Sequence, residues 1–343
     1  MKTFFLILCC VLHSWIFADV AKFSVVVLSD DNLLPIEGAQ IHANFWEDNG
    51  WKAWTQAPHV DVDRQTTDKN GFCRLKGKTN CGNVCCFVSV PPKGFYAGDG
   101  WGADFKKKNL FGIWQPDNLV VTLRLQRVEH PIPLFVKQLF SRGSDSVRSN
   151  YFDIGKGQMK FDLIKGDWLP PIGKGEYADI VFTRLEREDL GIGTTFRGSI
   201  TAPAYRDSMS IRFTGEDNGL VEVPSEKTAG IKIRTAPENG YTPDYLVAKG
   251  RDKNVKYFSS SNPDRNFAFR IRTKKDKNGK IVSAYYGKIY GDIEIKKPYT
   301  VEVSVAAPSF MYYLNPKSLD RNLEWDMKTN LCPNPGFLGQ KQP

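Results

Sequence analysis

The chain has 343 residues, more than one ordinary domain of roughly 100 to 200 residues uses, so two folded units are expected. Hydrophobic residues make up 41% and charged residues 25%, close to the globular average, which excludes wholesale disorder. The formal net charge is +9, a basic excess that favours acidic partners.

Met1, Lys2 and Thr3 precede the apolar run Phe4 to Leu12, and Ala18 closes the segment two positions after Ile16. This is the order of a secretory signal peptide over residues 1–18, and the run is too short for a comfortable membrane span. Cleavage after Ala18 starts the mature protein at Asp19, leaves no transmembrane segment, and reduces the net charge to +8 by removing Lys2. The expected address is secreted, periplasmic or cell-surface. Cys9 and Cys10 leave with the leader, so Cys73, Cys81, Cys85, Cys86 and Cys332 remain, an odd number for an exported chain. Among them Cys73, Cys81, Cys85 and Cys86 are disulfide candidates, because export favours oxidation and no His stands near them to complete a zinc site. Connectivity stays open, and adjacent Cys85 and Cys86 point to opposite strand faces.

Along the rest of the chain, short β-rich runs are broken by Gly, Pro, Asn and Asp, and no stretch holds a helical period. The expected fold is all-β, two antiparallel β-sandwich domains in tandem, over 19–130 and 131–316, with a C-terminal strap and tail over 317–343. The first domain opens with Phe23 to Leu28, resumes at Pro35 to Ala43, and forms a hairpin from Asp63–Thr67 to Phe72–Leu75 through Asp68-Lys69-Asn70-Gly71. Val84 to Val90 and Leu119 to Leu125 complete it. Pro35-Ile36-x-Gly38-Ala39, Thr67-Asp68-x-Asn70-Gly71 and Gly94-Phe95-Tyr96, in that order, resemble the transthyretin-like (prealbumin-like) regulatory domain of carboxypeptidases and bacterial surface proteins over about residues 22 to 128. That resemblance implies a structural or binding module without a catalytic site. The Trp-rich insertions and the cysteine cluster depart from its pattern.

Glu129-His130-Pro131-Ile132-Pro133-Leu134 carries two prolines that remove ladder donors, so it is expected to be a linker and not an interior strand. Beyond it, strands are expected around 158–164, 177–185, 208–214, 230–234, 267–273, 281–295 and 299–305. With Lys165-Gly166-Asp167-Trp168, Tyr285 to Asp292 and Tyr312 to Pro316, this half looks like a group of secreted bacterial proteins that join the same two modules, from which no activity carries over.

Chemistry-bearing patterns are sparse. His42, His59 and His130 do not stand at metal-ligand spacing, and no nucleophile elbow, zincin helix or phosphate loop is present. No cofactor, metal or catalytic residue is therefore assigned. Asp61 and Asp63, or Glu186, Glu188 and Asp189, leave a carbohydrate-active hydrolase as the alternative, and Asp61-x-Asp63 or Asp217-Asn218 could contribute to a calcium site. Two binding surfaces stand out. Trp46, Trp51, Trp54, Trp101 and Trp114 crowd the first domain and are expected either to stack on sugars or to fill satellite cores. In the second domain, Lys249 to Lys280 holds eleven Lys or Arg against Asp252, Asp264 and Asp276. Strand periodicity there puts Arg270, Arg272 and Lys274 beside Tyr286, Lys288 and Tyr290 on one outward ribbon. The expected function is a non-catalytic extracellular or envelope protein that binds acidic polysaccharide or another envelope polymer, or a second envelope protein. Nucleic acid ranks lower, since export keeps the chain from the genome.

Overall fold

The computed structural model describes residues 20–47, 59–96, 100–109, 113–139, 152–153, 157–185, 188–195, 201–224, 233–262, 264–296 and 305–335. The expected leader lies outside the described residues, as do Trp51, Trp54 and Glu186. The fold is all-β, with no helix among the described residues. The chain divides into one unit of Met1–Glu129 with Glu226–Ile231 and a second of His130–Ser225 with Lys232–Pro343.

The first unit contains β1 (Val20–Ser29), β2 (Gln40–Trp46), β3 (Val60–Thr66), β4 (Phe72–Lys78), β5 (Asn83–Val90), β6 (Trp101–Asp104), β7 (Lys107–Lys108), β8 (Trp114–Gln115) and β9 (Val120–Leu125). They form a sheet β4-β1-β9, a sheet β3-β2-β5-β6 and a small β7-β8 ribbon. Alternation builds the sandwich: Phe23, Val25, Val27, Leu75 and Leu123 face Ile41, Phe45, Val84 and Val88 across one core. Gly77 lets the sheets close, because a Cβ there would stand 2.2 Å from the Phe45 ring. β1 and β9 pair in parallel, unlike the antiparallel remainder; they lie at opposite ends of the unit, far enough apart in sequence for a crossover.

The β3–β4 hairpin turns as its sequence dictates. Asp68 Oδ1 accepts the Asn70 and Phe72 amides at 2.8 and 3.0 Å, and Gly71 takes φ +69 with no side chain to oppose it. Beyond the turn β3 and β4 diverge into different sheets, and Asp61 and Asp63 bind that seam. Asp63 Oδ2 accepts the Lys76 amide at 2.9 Å and Asp61 Oδ2 accepts the Lys78 amide at 2.8 Å. Their second oxygens accept Gln65 Nε2 and the Val62 amide. These are the two carboxylates that, in sequence, resemble a hydrolase or calcium pair; here they cap the open edge of β4.

The second unit contains β10 (Ile132–Leu139), β11 (Phe152–Asp153), β12 (Gln158–Asp162), β13 (Asp167–Trp168), β14 (Ile180–Arg184), β15 (Glu188–Thr194), β16 (Thr201–Phe213), β17 (Gly219–Val223), β18 (Asp244–Arg251), β19 (Tyr257–Ser259), β20 (Asn266–Lys275), β21 (Ile281–Lys296), β22 (Val305–Leu314) and β23 (Trp325–Asn330). One sheet runs β17-β20-β21-β22-β10-β23 and the other β13-β12-β14-β16-β18-β19. Between them pack Phe161, Trp168, Phe182, Phe213, Phe269 and Tyr312, with Phe161 and Trp168 edge to face at 4.9 Å. The linker expected over Glu129–Leu134 instead runs into β10, where Ile132 and Leu134 pair with β23 alone and pairing with β22 begins at Phe135. The β10 ladder to β23 skips from Ile132 to Leu134, so exposed Pro133 sits where no amide is required. The expected strap contributes β23, parallel to β10.

If Asp61 and Asp63 seal the β4 edge, Asp61→Ala and Asp63→Ala each lose about 1–2 kcal/mol. Amide exchange at Lys78 and Lys76 should accelerate respectively, and unchanged exchange at those two amides would contradict the assignment.

Candidate functional site

Of the five tryptophans, Trp46 and Trp114 have described side chains. Trp114 is buried, its Nε1 donates to the Thr79 carbonyl at 3.2 Å, and the Lys108 ammonium lies 4.7 Å above the ring. It fills the unit 1 core with Phe105 and is not a displayed ring. Trp46 is half-buried at the end of β2, and Trp101 enters β6 through its backbone, paired with Cys86.

The basic ribbon keeps its expected register and loses its expected exposure. Arg270 pairs with Tyr286 and Ala268 with Lys288, but the face is covered by two further segments, joined where the Leu323 amide donates to Arg234 O and the Ala236 amide to Arg321 O. Tyr286 packs there with Ile233, Ala236 and Leu323. Arg270 is 5% exposed; its Nε donates to Asp217 O at 2.7 Å, its Nη1 to Glu238 O at 3.1 Å, and its guanidinium lies 4.5 Å over Tyr241. Lys288 is 0% exposed, donates to Ile233 O at 3.2 Å and Tyr290 Oη at 3.0 Å, and lies over the Tyr290 and Tyr313 rings. Tyr290 is half-buried, and Lys274 is exposed. The ribbon is thus an inner layer. Strand parity alone cannot tell a solvated face from one covered by later segments.

Arg272 departs from the ribbon altogether. Pairing slips between Ile271 and Lys274, and Arg272 adopts φ +52, so the bulge turns its side chain toward the other sheet. There its Nε and Nη2 donate to Asp179 at 2.8 and 2.9 Å, and Nη2 also to Asp162 Oδ1 at 2.8 Å. Both carboxylates are buried. Asp162 accepts the Ile164, Lys165, Glu176 and Tyr177 amides as well, and Asp179 accepts that of Leu163. Burial pushes the Asp162 carboxyl up, but the amides and Arg272 outweigh it and hold it below the ordinary value. Burial of Asp179 wins over Arg272 and holds that carboxyl above it. The trio is a staple that fixes two loops against β20.

Among the described residues Cys73, Cys81, Cys85, Cys86 and Cys332 are unpaired, so the disulfide expectation is not shown. Cys73 and Cys86 face the core from opposite sheets; burial, the larger cause, raises both thiols, helped by Asp63 and Asp68 at Cys73 and by the Cys85 and Cys73 thiols at Cys86, to about 11 and about 12. Cys85 points outward and accepts Asn44 Nδ2 at 3.7 Å, while exposed Cys81 donates to Trp46 O at 3.1 Å. The histidines also have separate tasks. Arg64 Nε donates to His42 Nδ1 at 3.3 Å, leaving Nε2 to donate to Asn44 Oδ1 at 2.9 Å. His59 lies 3.6 Å from Glu47, and the His130 amide donates to Glu324 at 2.6 Å. No group of metal-ligating side chains is found among the described residues. Glu188 pairs with Arg206 at 3.0 Å, Asp189 accepts the Gly191 amide, and Asp217 pairs with Lys275.

One charged surface escaped the sequence reading. On β4 Arg74, Lys76 and Lys78 alternate with buried Cys73, Leu75 and Gly77, and point outward with Lys22 of β1. Lys22 stands directly opposite Lys76, and Ser24 opposite Arg74. The remaining outward positions are Val20, Val26, Leu28, Phe72, Val120, Thr122 and Arg124, so no carboxylate stands among them. Arg124 is paired with Asp30 at 3.8 Å. The signal was the alternation Arg74-x-Lys76-x-Lys78, overshadowed by the larger cationic count at 249–280.

No family model matches the chain. It is similar to the Diels-Alderase cghA of Chaetomium globosum, 28% identical over 134 residues, or 35% of this chain and 26% of that protein. The chain thus spans about a quarter of the curated relative it matches. Solved structures similar to it include the major pilin SpaD of Corynebacterium diphtheriae, 10% identical with a TM-score of 0.25 over 90% of this chain and 84% of that one. They also include the C-terminal domain of the shaft pilin SpaA of Lactobacillus rhamnosus GG, 12% identical with a TM-score of 0.22 over 32% and 98%. The 3-chlorocatechol 1,2-dioxygenase of Rhodococcus opacus 1CP is 10% identical with a TM-score of 0.24 over 32% and 60%. Structural likenesses with TM-scores this low carry no functional weight.

Arg272→Ala leaves two buried carboxylates facing one another and should cost about 3–5 kcal/mol. Acid titration distinguishes the pair. Asp162, held low, contributes stability that is complete above about pH 4 and lost below it. Asp162→Asn should therefore flatten the acid limb of stability. Asp179, held high, takes up its proton first in the folded state, so acidification relieves its cost and Asp179→Asn should steepen that limb. Urea midpoints that fall in parallel for both variants and the parent would contradict these roles.

Proposed function

We propose that the protein is a non-catalytic, secreted or envelope-displayed binding and structural protein that recognises an extended polysaccharide. The observation that carries this reading is the commitment of the buried ionisable groups: Asp162, Asp179, Arg270, Arg272 and Lys288 are spent on hydrogen bonds within the fold. A group so committed is poorly placed to move protons or attack a substrate. The leader-like order of residues 1–18 supports export. The transthyretin-like reading of unit 1 is supported by its two facing sheets and by the Asp68–Gly71 turn.

The partial likeness to a Diels-Alderase favours a second reading, a cycloaddition catalyst. Between the sheets of unit 2 the aromatic side chains of Phe161, Trp168, Phe182 and Phe269 are packed together.

Incubation of the mature protein with immobilised neutral and anionic polysaccharides separates binding from hydrolysis. The proposal predicts retention on at least one polymer without new reducing ends. Accumulating reducing ends, or retention on none, would overturn it.

A further inference from the structure

We propose that the outward face of β1 and β4 in the first unit is a binding strip for a linear anionic polysaccharide. This rests on the binding reading above and names the surface and the charge of the ligand. Lys22, Arg74, Lys76 and Lys78 are all exposed, and none of the four forms an ion pair with a described residue. Alternate residues of a strand stand roughly 6.6–6.8 Å apart and neighbouring strands about 4.8 Å. Arg74, Lys76 and Lys78 therefore form a line of about 13 Å, with Lys22 beside its middle.

The arrangement works against the fold that carries it. Lys22 and Lys76 are direct cross-strand partners, and like charges so placed destabilise a sheet. At about 5 Å in water, two unit charges repel by roughly 0.8 kcal/mol. Exposed lysines on an outer strand often serve to block edge pairing, but that task is already performed at β4 by Asp61 and Asp63, which occupy the Lys76 and Lys78 amides. Those carboxylates hold the backbone at the seam and form no ion pair with the outward cations, which leaves room for a further counter-charge. A polyanion laid along β4 supplies it.

The remaining outward side chains suit a sugar chain. Phe72 lies at one end of the line, with Arg74 5.5 Å over its ring, and Val20, Val26 and Val120 keep the face low. A half-buried ring beside a row of cations along one strand can meet the apolar and anionic parts of a polyuronate, and the leader-like order of residues 1–18 supports export toward such polymers.

The test uses the mature protein and polygalacturonate, with methyl-esterified polymer as the neutral probe and single-stranded DNA as a competing polyanion. One variant carries Lys22→Gln, Arg74→Gln, Lys76→Gln and Lys78→Gln. A control removes the same charge at Lys253, Lys256, Lys277 and Lys280, which are also exposed. Cooperative thermal unfolding of each variant shows that both are folded, the strip variant being no less stable than the parent once the Lys22–Lys76 repulsion is removed. The parent should bind polygalacturonate with an affinity that falls as salt rises, at roughly 0.7 of a log–log slope per cation engaged, by analogy with single-stranded polyelectrolytes. The strip variant should lose at least about tenfold in affinity and most of that slope, while the control keeps both. Equal loss in the two variants, or none in the strip variant, would overturn the strip and leave the binding reading standing. Tighter binding to DNA than to polygalacturonate would overturn the polysaccharide assignment, binding to the neutral polymer alone would overturn the strip, and binding to no polymer would overturn both.

Discussion

A charge taken out of water has to be met by a partner, and this requirement divides the ionisable residues into two populations. Inside the second unit every prominent buried charge is met: Arg272 by Asp162 and Asp179, Arg184 by Asp207 at 3.1 Å, Asp292 by Arg265 at 3.0 Å and by Tyr245 at 2.8 Å. Lys288 is met differently, by a carbonyl and two aromatic faces. Desolvation makes each of these costly to leave alone and therefore ties each to one geometry. The outward charges of β1 and β4 belong to the other population, exposed to water and without an ion pair among the described residues.

The same division explains how a strongly basic segment can contribute little to the surface. Arg270 and Lys288 lie on a sheet face that closes when the segments around Ile233 and Leu323 fold over it. The sheet is then buried on both sides, by the aromatic core on one and by this second layer on the other. Polar residues survive in the inner layer because carbonyls and rings are positioned to receive them.

Much of this was legible in the sequence. Alternation places Phe267, Phe269 and Ile271 on one face, as found, and the Asp-x-Asn-Gly turns sit where their chemistry puts them. What was hidden depends on distant chain. The bulge at Arg272 has no composition cue, yet it moves one side chain to the opposite sheet. Pro133 reads as a strand breaker and is admitted because the ladder slips past it. Trp114 reads equally well as a displayed ring or a core residue until Thr79 and Phe105 are brought against it. The cations of β4 were visible as an alternation, but their lack of an ion pair among the described residues becomes apparent only once β1 is laid alongside.

The claim that inner charges serve the fold while outer ones remain free for a ligand is tested most directly by the reactivity of individual lysines. Acetylation of the folded protein, followed residue by residue by mass spectrometry with and without polygalacturonate, reads both populations at once. Lys288 should stay unmodified in either condition, while Lys22, Lys76 and Lys78 should label quickly and become shielded by the polymer. Rapid labelling of Lys288, or labelling of the three outer lysines that is indifferent to the polymer, would contradict the account.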